Sequence, residues 1–315
     1  MIELQDIYDA HKRIRDYALW TPVMTSSTID KLIDCKVFFK CENFQRVGAF
    51  KFRGALNTIS QLTDDERKRG VIAHSSGNHA QALALAASLL HIKATIVMPK
   101  NSPKVKVDAT CGYGADVVFC ENSIESRVKV ANELIERYNY VLIHPYNDER
   151  IIAGAGTTAL ELIEEVRVID YMFAPVGGGG LLSGTSIATK GLCSDSKVIG
   201  VEPSNADDAF RSFRDGKIYP SINPNTIADG LRTQLGDLTF PIIKEYVDSI
   251  VTVTEEEIVE AMKLLWERMK IVVEPSGAVS LAGVIKMRDE LQDKRLGVII
   301  SGGNIDLTEF FSRYL

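Results

Sequence analysis

A lysine set between two aromatic side chains is the first residue in this sequence with the makings of a reagent. Lys51 stands between Phe50 and Phe52 in GAFKFRGA, just after the Gly48 turn. Aromatic flanks that exclude water disfavour the ammonium form, lower its pKa and free the amine as a nucleophile for aldehydes. Most lysines are solvated surface charges, so Lys51 gains meaning only in combination. This turn and three others each follow an apolar, β-rich run, and the carboxyl ends of strands are where open α/β sheets bind ligands.

In FAPVGGGGLLSG the run Tyr171 to Val176 leads into Gly177, Gly178, Gly179 and Gly180 and then a helix start. Four residues without Cβ let successive backbone N–H groups turn toward one anion, as a phosphate requires. The G-x-G-x-x-G pattern fails at Leu182 or Ser183, and the Walker pattern fails because Thr185 stands where its lysine belongs. The loop therefore suits a monophosphate better than a nucleotide, while a plain tight turn would also explain it. HSSGNHAQALALAA sets Ser75, Ser76, Gly77, Asn78 and His79 before an Ala-rich helix. Small hydroxyl and amide groups beside free N–H groups suit a substrate carboxylate; an ordinary helix cap is the plainer alternative. LGVIISGGN delivers Ser301, whose hydroxyl could meet a heterocyclic nitrogen without carrying charge, or which simply begins another turn. In EPSNADD, Glu202 and Asp208 with backbone carbonyls between them make a hard-cation site, with unconnected surface acids as the alternative.

The elements that must position these turns alternate along the chain. KVFFKCE, GVIAHSS, ATIVMP, ADVVFC, YVLIHP, YMFAPV, KVIGVEP, SIVTVT and LGVIIS predict strands. His79 to Leu90, Ile124 to Tyr138, Thr157 to Val166 and Glu255 to Met269 carry apolar residues at helical spacing. Such alternation predicts an α/β fold with mainly parallel sheets covered by helices on both faces. At 315 residues the chain exceeds one average domain, and no long Gly/Ser/Pro linker divides it, so a second domain must be inserted or interleaved. The net charge of −6, with no basic block, argues against nucleic-acid or anionic-membrane partners. Cys35, Cys41, Cys111, Cys120 and Cys193 form no CxxC pair, so neither a disulfide framework nor a zinc site is expected. The N-terminal segment reads as an amphipathic helix, no apolar run suits a bilayer, and a cytoplasmic protein with small-molecule ligands is expected.

Taken in order, GAFKFRGA, SSGNHA, HPYND followed by IIAGAGT, GGGGLLSG, EPSNADD, TIADG, EPSGA and SGGN resemble the serine racemase and serine/threonine dehydratase family from end to end. These are fold-type II pyridoxal phosphate enzymes, also called the tryptophan synthase β family. The resemblance implies two open, twisted, mainly parallel sheets, with a large domain of 1–64 and 148–315 and an inserted, mobile small domain of 65–147. It makes Lys51 the lysine that carries pyridoxal 5′-phosphate as a Schiff base and the base on the si face of the substrate α-carbon. Gly177, Gly178, Gly179 and Gly180 would hold the phosphate, Phe50 and Asn78 would contact the ring, and Ser301 would face the pyridine nitrogen. Ser75, Asn78 and His79 would bind the substrate carboxylate. Glu202, Asp208 and the main-chain carbonyl of Ala206 would bind Mg²⁺ or Ca²⁺.

Racemisation needs proton exchange on both faces of a carbanion, and Ser76 matches the serine that racemases of the family place opposite the lysine. Elimination needs only Lys51 and a departing β-hydroxyl, so one site is expected to racemise L-serine and dehydrate it, with L-threonine or a 3-hydroxyaspartate as further substrates. The rival readings are a threonine, serine or 3-hydroxyaspartate dehydratase with little racemase action, and a catalytically silent regulator on the same fold. Tyr146 departs from the HPN of mammalian-type racemases. Arg46 and Val47 replace their ATP-binding Lys and Thr, which leaves ATP an open question as effector. A homodimer is implied by the resemblance alone.

Overall fold

Ten strands build two separate sheets in a computed structural model that describes residues 2–307 and Ser312. The expected large domain's residues 1, 308–311 and 313–315 lie outside the described residues. In chain order the strands are β1 (Val23–Met24), β2 (Lys36–Cys41), β3 (Val71–His74), β4 (Ala94–Pro99), β5 (Asp116–Cys120), β6 (Val141–Leu142), β7 (Tyr171–Pro175), β8 (Lys197–Pro203), β9 (Ser249–Val253) and β10 (Arg295–Ile300). One sheet has the order β1-β2-β10-β7-β8-β9 and the other β5-β4-β3-β6. Among these strands every pairing is parallel except that of β1 with β2. Parallel strands need crossover helices that cover both faces, and the strand cores accordingly read as continuous apolar runs. Leu296, Val298, Ile299 and Ile300 of β10 are all buried, with apolar clusters on either side of the sheet.

The expected α/β alternation is therefore what the chain adopts, with local differences. YVLIHP pairs only at Val141 and Leu142, plus the Ile143 N–H to Ile72 O bond, because His144 turns the chain: its Nδ1 accepts from the N–H groups of Tyr146 and Asn147. The short antiparallel β1 is additional. The helix expected over Glu255 to Met269 is α-helical to Leu264 and continues as a π turn, Leu265–Met269. The helix Lys51–Ser60, which begins at the lysine itself, is additional to the expected helices and buries Phe52, Ala55, Leu56 and Ile59 at helical spacing.

Two glycine contacts lock the helices that lead out of the turns. A Cβ on Gly154 would lie 2.7 Å from Gly54 Cα, and one on Gly184 would lie 2.8 Å from Gly156 Cα. Glycine alone permits backbones to approach this closely. The helices Lys51–Ser60 and Gly180–Leu192 thus both rest directly on the helix Glu149–Val166.

Beneath Lys51 a fully buried ion cluster pins the same helix. Arg53 Nε donates to Glu42 Oε2 at 2.7 Å and Nη1 to Glu161 Oε1 at 2.6 Å; Nη2 reaches both carboxylates at 2.8 Å. Lys40 Nζ pairs with Glu161 Oε2 at 2.7 Å and donates to Thr21 O at 2.7 Å, while Thr21 Oγ1 donates to Glu42. Two cations face two anions, and the guanidinium fork is matched on both sides, the arrangement that makes buried charge tolerable. Among the described residues no helix is long and apolar enough to cross a membrane.

Candidate active site

Lys51 is positioned by a strap that pairs with the far end of the chain. Ala49 bridges Gly302 in antiparallel fashion, Phe50 N–H donates to Ser301 O at 3.0 Å, and Gly303 N–H donates to Gly48 O at 2.9 Å. Gly48 has φ +68°, and a Cβ there would lie 2.7 Å from Asn304 Oδ1, so both conformation and space call for glycine. The Lys51 ammonium donates to Pro145 O at 2.7 Å and sits 5.0 Å from the centre of the Phe50 ring. Burial pulls its pKa down to about 8. That is the direction a lysine needs to act as a nucleophile near neutrality.

Pro145 leads to the glycine loop. Gly177 to Gly180 are buried after β7, Gly179 takes φ +90°, and Gly180 begins a helix. A Cβ on Gly178 would collide with the Tyr146 ring, and one on Gly179 would lie 2.8 Å from Thr239 Cβ. Thr239 Oγ1 donates to Gly178 O at 2.8 Å, fixing that peptide. First-turn N–H groups of a helix have no intrahelical partner, so a crowded, glycine-only turn that leaves them free fits the phosphate of a bound cofactor. Those glycines would hold the phosphate, Lys51 the aldehyde carbon, and Ser301, buried at the end of β10, the ring nitrogen. Ser301 Oγ itself donates to Ser276 O at 3.4 Å.

The turn Ser75 to Asn78 follows β3 and starts the helix Asn78–Leu89. Ser75 Oγ accepts from Gly77 N–H at 3.3 Å, and Ser75 and Ser76 are both partly buried. Asn78 is tied into the strap: its Nδ2 donates to Glu274 Oε1 at 2.7 Å, and its Oδ1 accepts from Asn304 Nδ2 at 2.9 Å. His79 is buried, its Nε2 bonded to Ile143 O at 3.0 Å, and burial with the nearby Lys51 charge pushes it down to about 3. Its ring is neutral at physiological pH and held through Nε2, with Nδ1 buried and without a partner, and its main-chain N–H lies in the first helical turn, where a carboxylate can be received.

Glu202 and Asp208 sit apart from the strap, at the end of β8. Both Glu202 oxygens accept main-chain N–H bonds, from Ala209 at 2.9 Å and Phe210 at 2.8 Å. Asp208 is 1% exposed, yet neither of its oxygens has a hydrogen-bond partner; Ser221 faces it without closing one. Burial raises both carboxyls above their usual range. A buried carboxylate without donors is costly unless a cation completes it. Among the described residues no three His, Cys, Asp or Glu side chains gather around a point that could hold a metal, so a cation here would depend on main-chain oxygen such as that of Ala206.

Four residues in the cleft lacked a role in the reading of the sequence: His144, Pro145, Glu274 and Asn304. Glu274 is a carboxyl pushed up to about 8, first by burial and then by Asp229. Its only trace in the sequence is the EPSGA string, in which nothing local announces burial.

The family described as pyridoxal-phosphate dependent enzymes matches residues 14–302. The crystal structure of serine racemase from Dictyostelium discoideum is 50% identical, covers 97% of this chain and 99% of its own, and superimposes with a TM-score of 0.93. The L-threo-3-hydroxyaspartate ammonia-lyase of Saccharomyces cerevisiae is 49% identical over 97% of this chain and 94% of its own. The structure of maize serine racemase is 44% identical, covers 99% of this chain and 97% of its own, and has a TM-score of 0.95. With a match of this extent, and a lysine and glycine loop shaped for such a cofactor, the chain belongs to the pyridoxal-phosphate dependent enzymes.

Proposed function

We propose that this chain is a serine racemase that also dehydrates L-serine to pyruvate and ammonia. The observation that carries the reading is the convergence on one cleft of the desolvated Lys51, the glycine loop beside Tyr146 and the small-residue turn Ser75 to His79. Pyridoxal phosphate, when bound, supplies an electron sink for negative charge at the substrate α-carbon. Ser301, a neutral partner for the ring nitrogen, keeps that sink moderate. The Ser75–His79 turn grips the substrate carboxylate through N–H and hydroxyl groups. Lys51 takes the α-proton on one face, and Ser76 returns or removes a proton on the other. When the β-hydroxyl departs as water instead, hydrolysis leaves pyruvate and ammonia. The grouping of β3 to β6 in one sheet supports a small domain of 65–147, inserted in a large domain of 1–64 and 148–315, that closes over substrate.

The test is to incubate the cofactor-loaded protein with L-serine and Mg²⁺ and to quantify D-serine and pyruvate in the same samples. Both products are expected. Ser76→Ala should lower D-serine formation by about 10²-fold or more while pyruvate formation persists. Unchanged racemisation in that variant would remove Ser76 from the mechanism. Pyruvate without D-serine in the wild type would favour the dehydratase reading. That reading draws support from the Saccharomyces cerevisiae lyase at 49% identity, and 3-hydroxyaspartate and threonine would then be the substrates to compare.

The bare carboxylate of Asp208 supports a Mg²⁺ or Ca²⁺ ion held with Glu202 and the carbonyl of Ala206. A cation that binds only the folded state at about 100 times its Kd adds about 2.7 kcal/mol. Chelation is expected to lower the melting temperature by about 3–5 °C, an effect absent from Asp208→Asn. Identical melting curves with EDTA and with Mg²⁺ would remove the cation.

A further inference from the structure

Glu274 precedes the helix Pro275–Lys286 at its cap position and is 3% exposed. It makes no side-chain cap to that helix. Its carboxyl turns instead to Asn78 Nδ2, at 2.7 Å. The other end of the same amide is also taken, since Asn78 Oδ1 accepts from Asn304 Nδ2 at 2.9 Å, and Asn304 Nδ2 donates as well to Val47 O at 2.6 Å. Only one orientation of the Asn78 amide satisfies both neighbours: its NH₂ must face Glu274 and its oxygen Asn304.

The contact joins two parts of the molecule. Asn78 begins a helix that follows β3 of the four-stranded sheet, whereas Glu274 and Asn304 flank β10 of the six-stranded one. Glu274 is itself fastened to the strap: its N–H donates to Gly302 O at 3.2 Å, and a Cβ on Gly302 would strike its carboxyl. The charged groups that face it are Asp229 and Lys106, which pair with each other at 2.6 Å. Lys106 lies on the helix Lys104–Gly112, between β4 and β5, so this ion pair spans the same divide.

We infer that Glu274 is a positioning residue: acting through Asn78, it docks the Ser75–His79 turn onto the Gly48–Lys51 strap and so sets how firmly the substrate carboxylate is held. The inference rests on the reading of Ser75–His79 as the carboxylate grip. Burial and the neighbouring Asp229 raise the carboxyl to about 8, so at pH 7 it is mostly the neutral acid, whose carbonyl oxygen still accepts from Asn78. Glutamine keeps that acceptor at every pH, and leucine removes it.

The experiment compares wild type, Glu274→Gln and Glu274→Leu as cofactor-loaded enzymes. The Leu variant is expected to keep the near-visible cofactor band and a kcat within about twofold, to raise KM for L-serine about tenfold, and to speed hydrogen exchange across residues 74–80. The Gln variant should restore both KM and exchange to within about twofold of wild type. An unchanged KM and exchange rate in the Leu variant would overturn the role, as would a Gln variant no better than the Leu one. Exchange is read without substrate, so it judges Glu274 even if the wild type proves inactive on serine, an outcome that would instead sink the proposed activity.

Should the Leu variant fail to fold, a pH series on the Gln variant decides. A carboxyl raised from the ordinary range to about 8 on folding contributes stability that is full at acid pH and is lost as pH rises through about 8. The melting temperature of the wild type should therefore fall more steeply between about pH 5 and 8.5 than that of Glu274→Gln. Parallel curves would overturn the proposal.

Discussion

The Lys51→Ala protein, purified with excess pyridoxal phosphate, is expected to lack the near-visible band of a cofactor joined to a protein amine, and to turn over L-serine more than about 10³-fold slower than wild type. Lys51 serves twice in the proposed mechanism, first as the covalent anchor and then as the base at the α-carbon, so no single surviving group replaces it. Its desolvated setting makes a second, graded prediction from the same residue. With a pKa of about 8, roughly half the lysine is free amine at pH 8 and only about a tenth at pH 7. Cofactor capture by the empty protein should therefore accelerate with pH and level off above about 8. The fold itself should tolerate the change, since what leaves with the amine is its bond to Pro145 O. A mutant spectrum identical to that of the wild type would end the assignment.

Arg53→Leu should unfold the protein far more readily than its distance from the chemistry suggests. The guanidinium bonds both Glu42 and Glu161, and its removal leaves two buried carboxylates beside the single charge of Lys40. Burial alone would raise the Glu161 carboxyl, yet Arg53 and Lys40 outweigh it and hold that group below the usual range. Breaking a paired, buried cluster costs about 3–5 kcal/mol, because the surviving charge is left uncompensated. The expected fall in melting temperature is roughly 5–10 °C. Arg53→Lys should recover part of it, since an ammonium restores the charge without the fork that engages both carboxylates. Arg53 lies two residues beyond Lys51 on the same helix, so cofactor loading should fall along with stability. A melting temperature within about 2 °C of wild type would show that the cluster contributes little.

How much of this was legible in the sequence depended on whether the signal was local. KVIGVEP forms β8 over its full length because its β-branched residues can be buried on both faces and the proline ends it. YVLIHP carries the same kind of apolar run but yields two residues of β6, since the accepting Nδ1 of His144 bends the backbone early, a cue that needs three dimensions. The helix Lys51–Ser60 was not among the expected elements although Phe52, Ala55, Leu56 and Ile59 fall at helical spacing; at ten residues, directly after the Gly48 turn and with Gly54 inside it, the pattern is short and interrupted. The turns themselves were readable from glycine, serine and asparagine at the ends of strand-like runs. Their meeting was not, because Ala49 and Gly302 pair across almost the whole chain. Only the ordered set of motifs, taken as a family resemblance, could anticipate that contact. Glu274 marks the opposite limit, a carboxylate whose letter in the sequence says exposed and whose place in the fold is buried.

The pairing of Ala49 and Phe50 with Ser301 and Gly302 also bears on how the protein is made. A ribosome releases Lys51 long before it adds Ser301, so during most of translation the lysine has no bed to lie in. Cofactor captured at that stage would meet an ordinary solvated amine in a partly built chain. On the proposed role of Lys51, its bed is complete only once synthesis has passed Gly303, and a nascent chain stalled before that point is expected to hold the cofactor more weakly than the finished protein. Stable loading would then report that both ends of the fold have met.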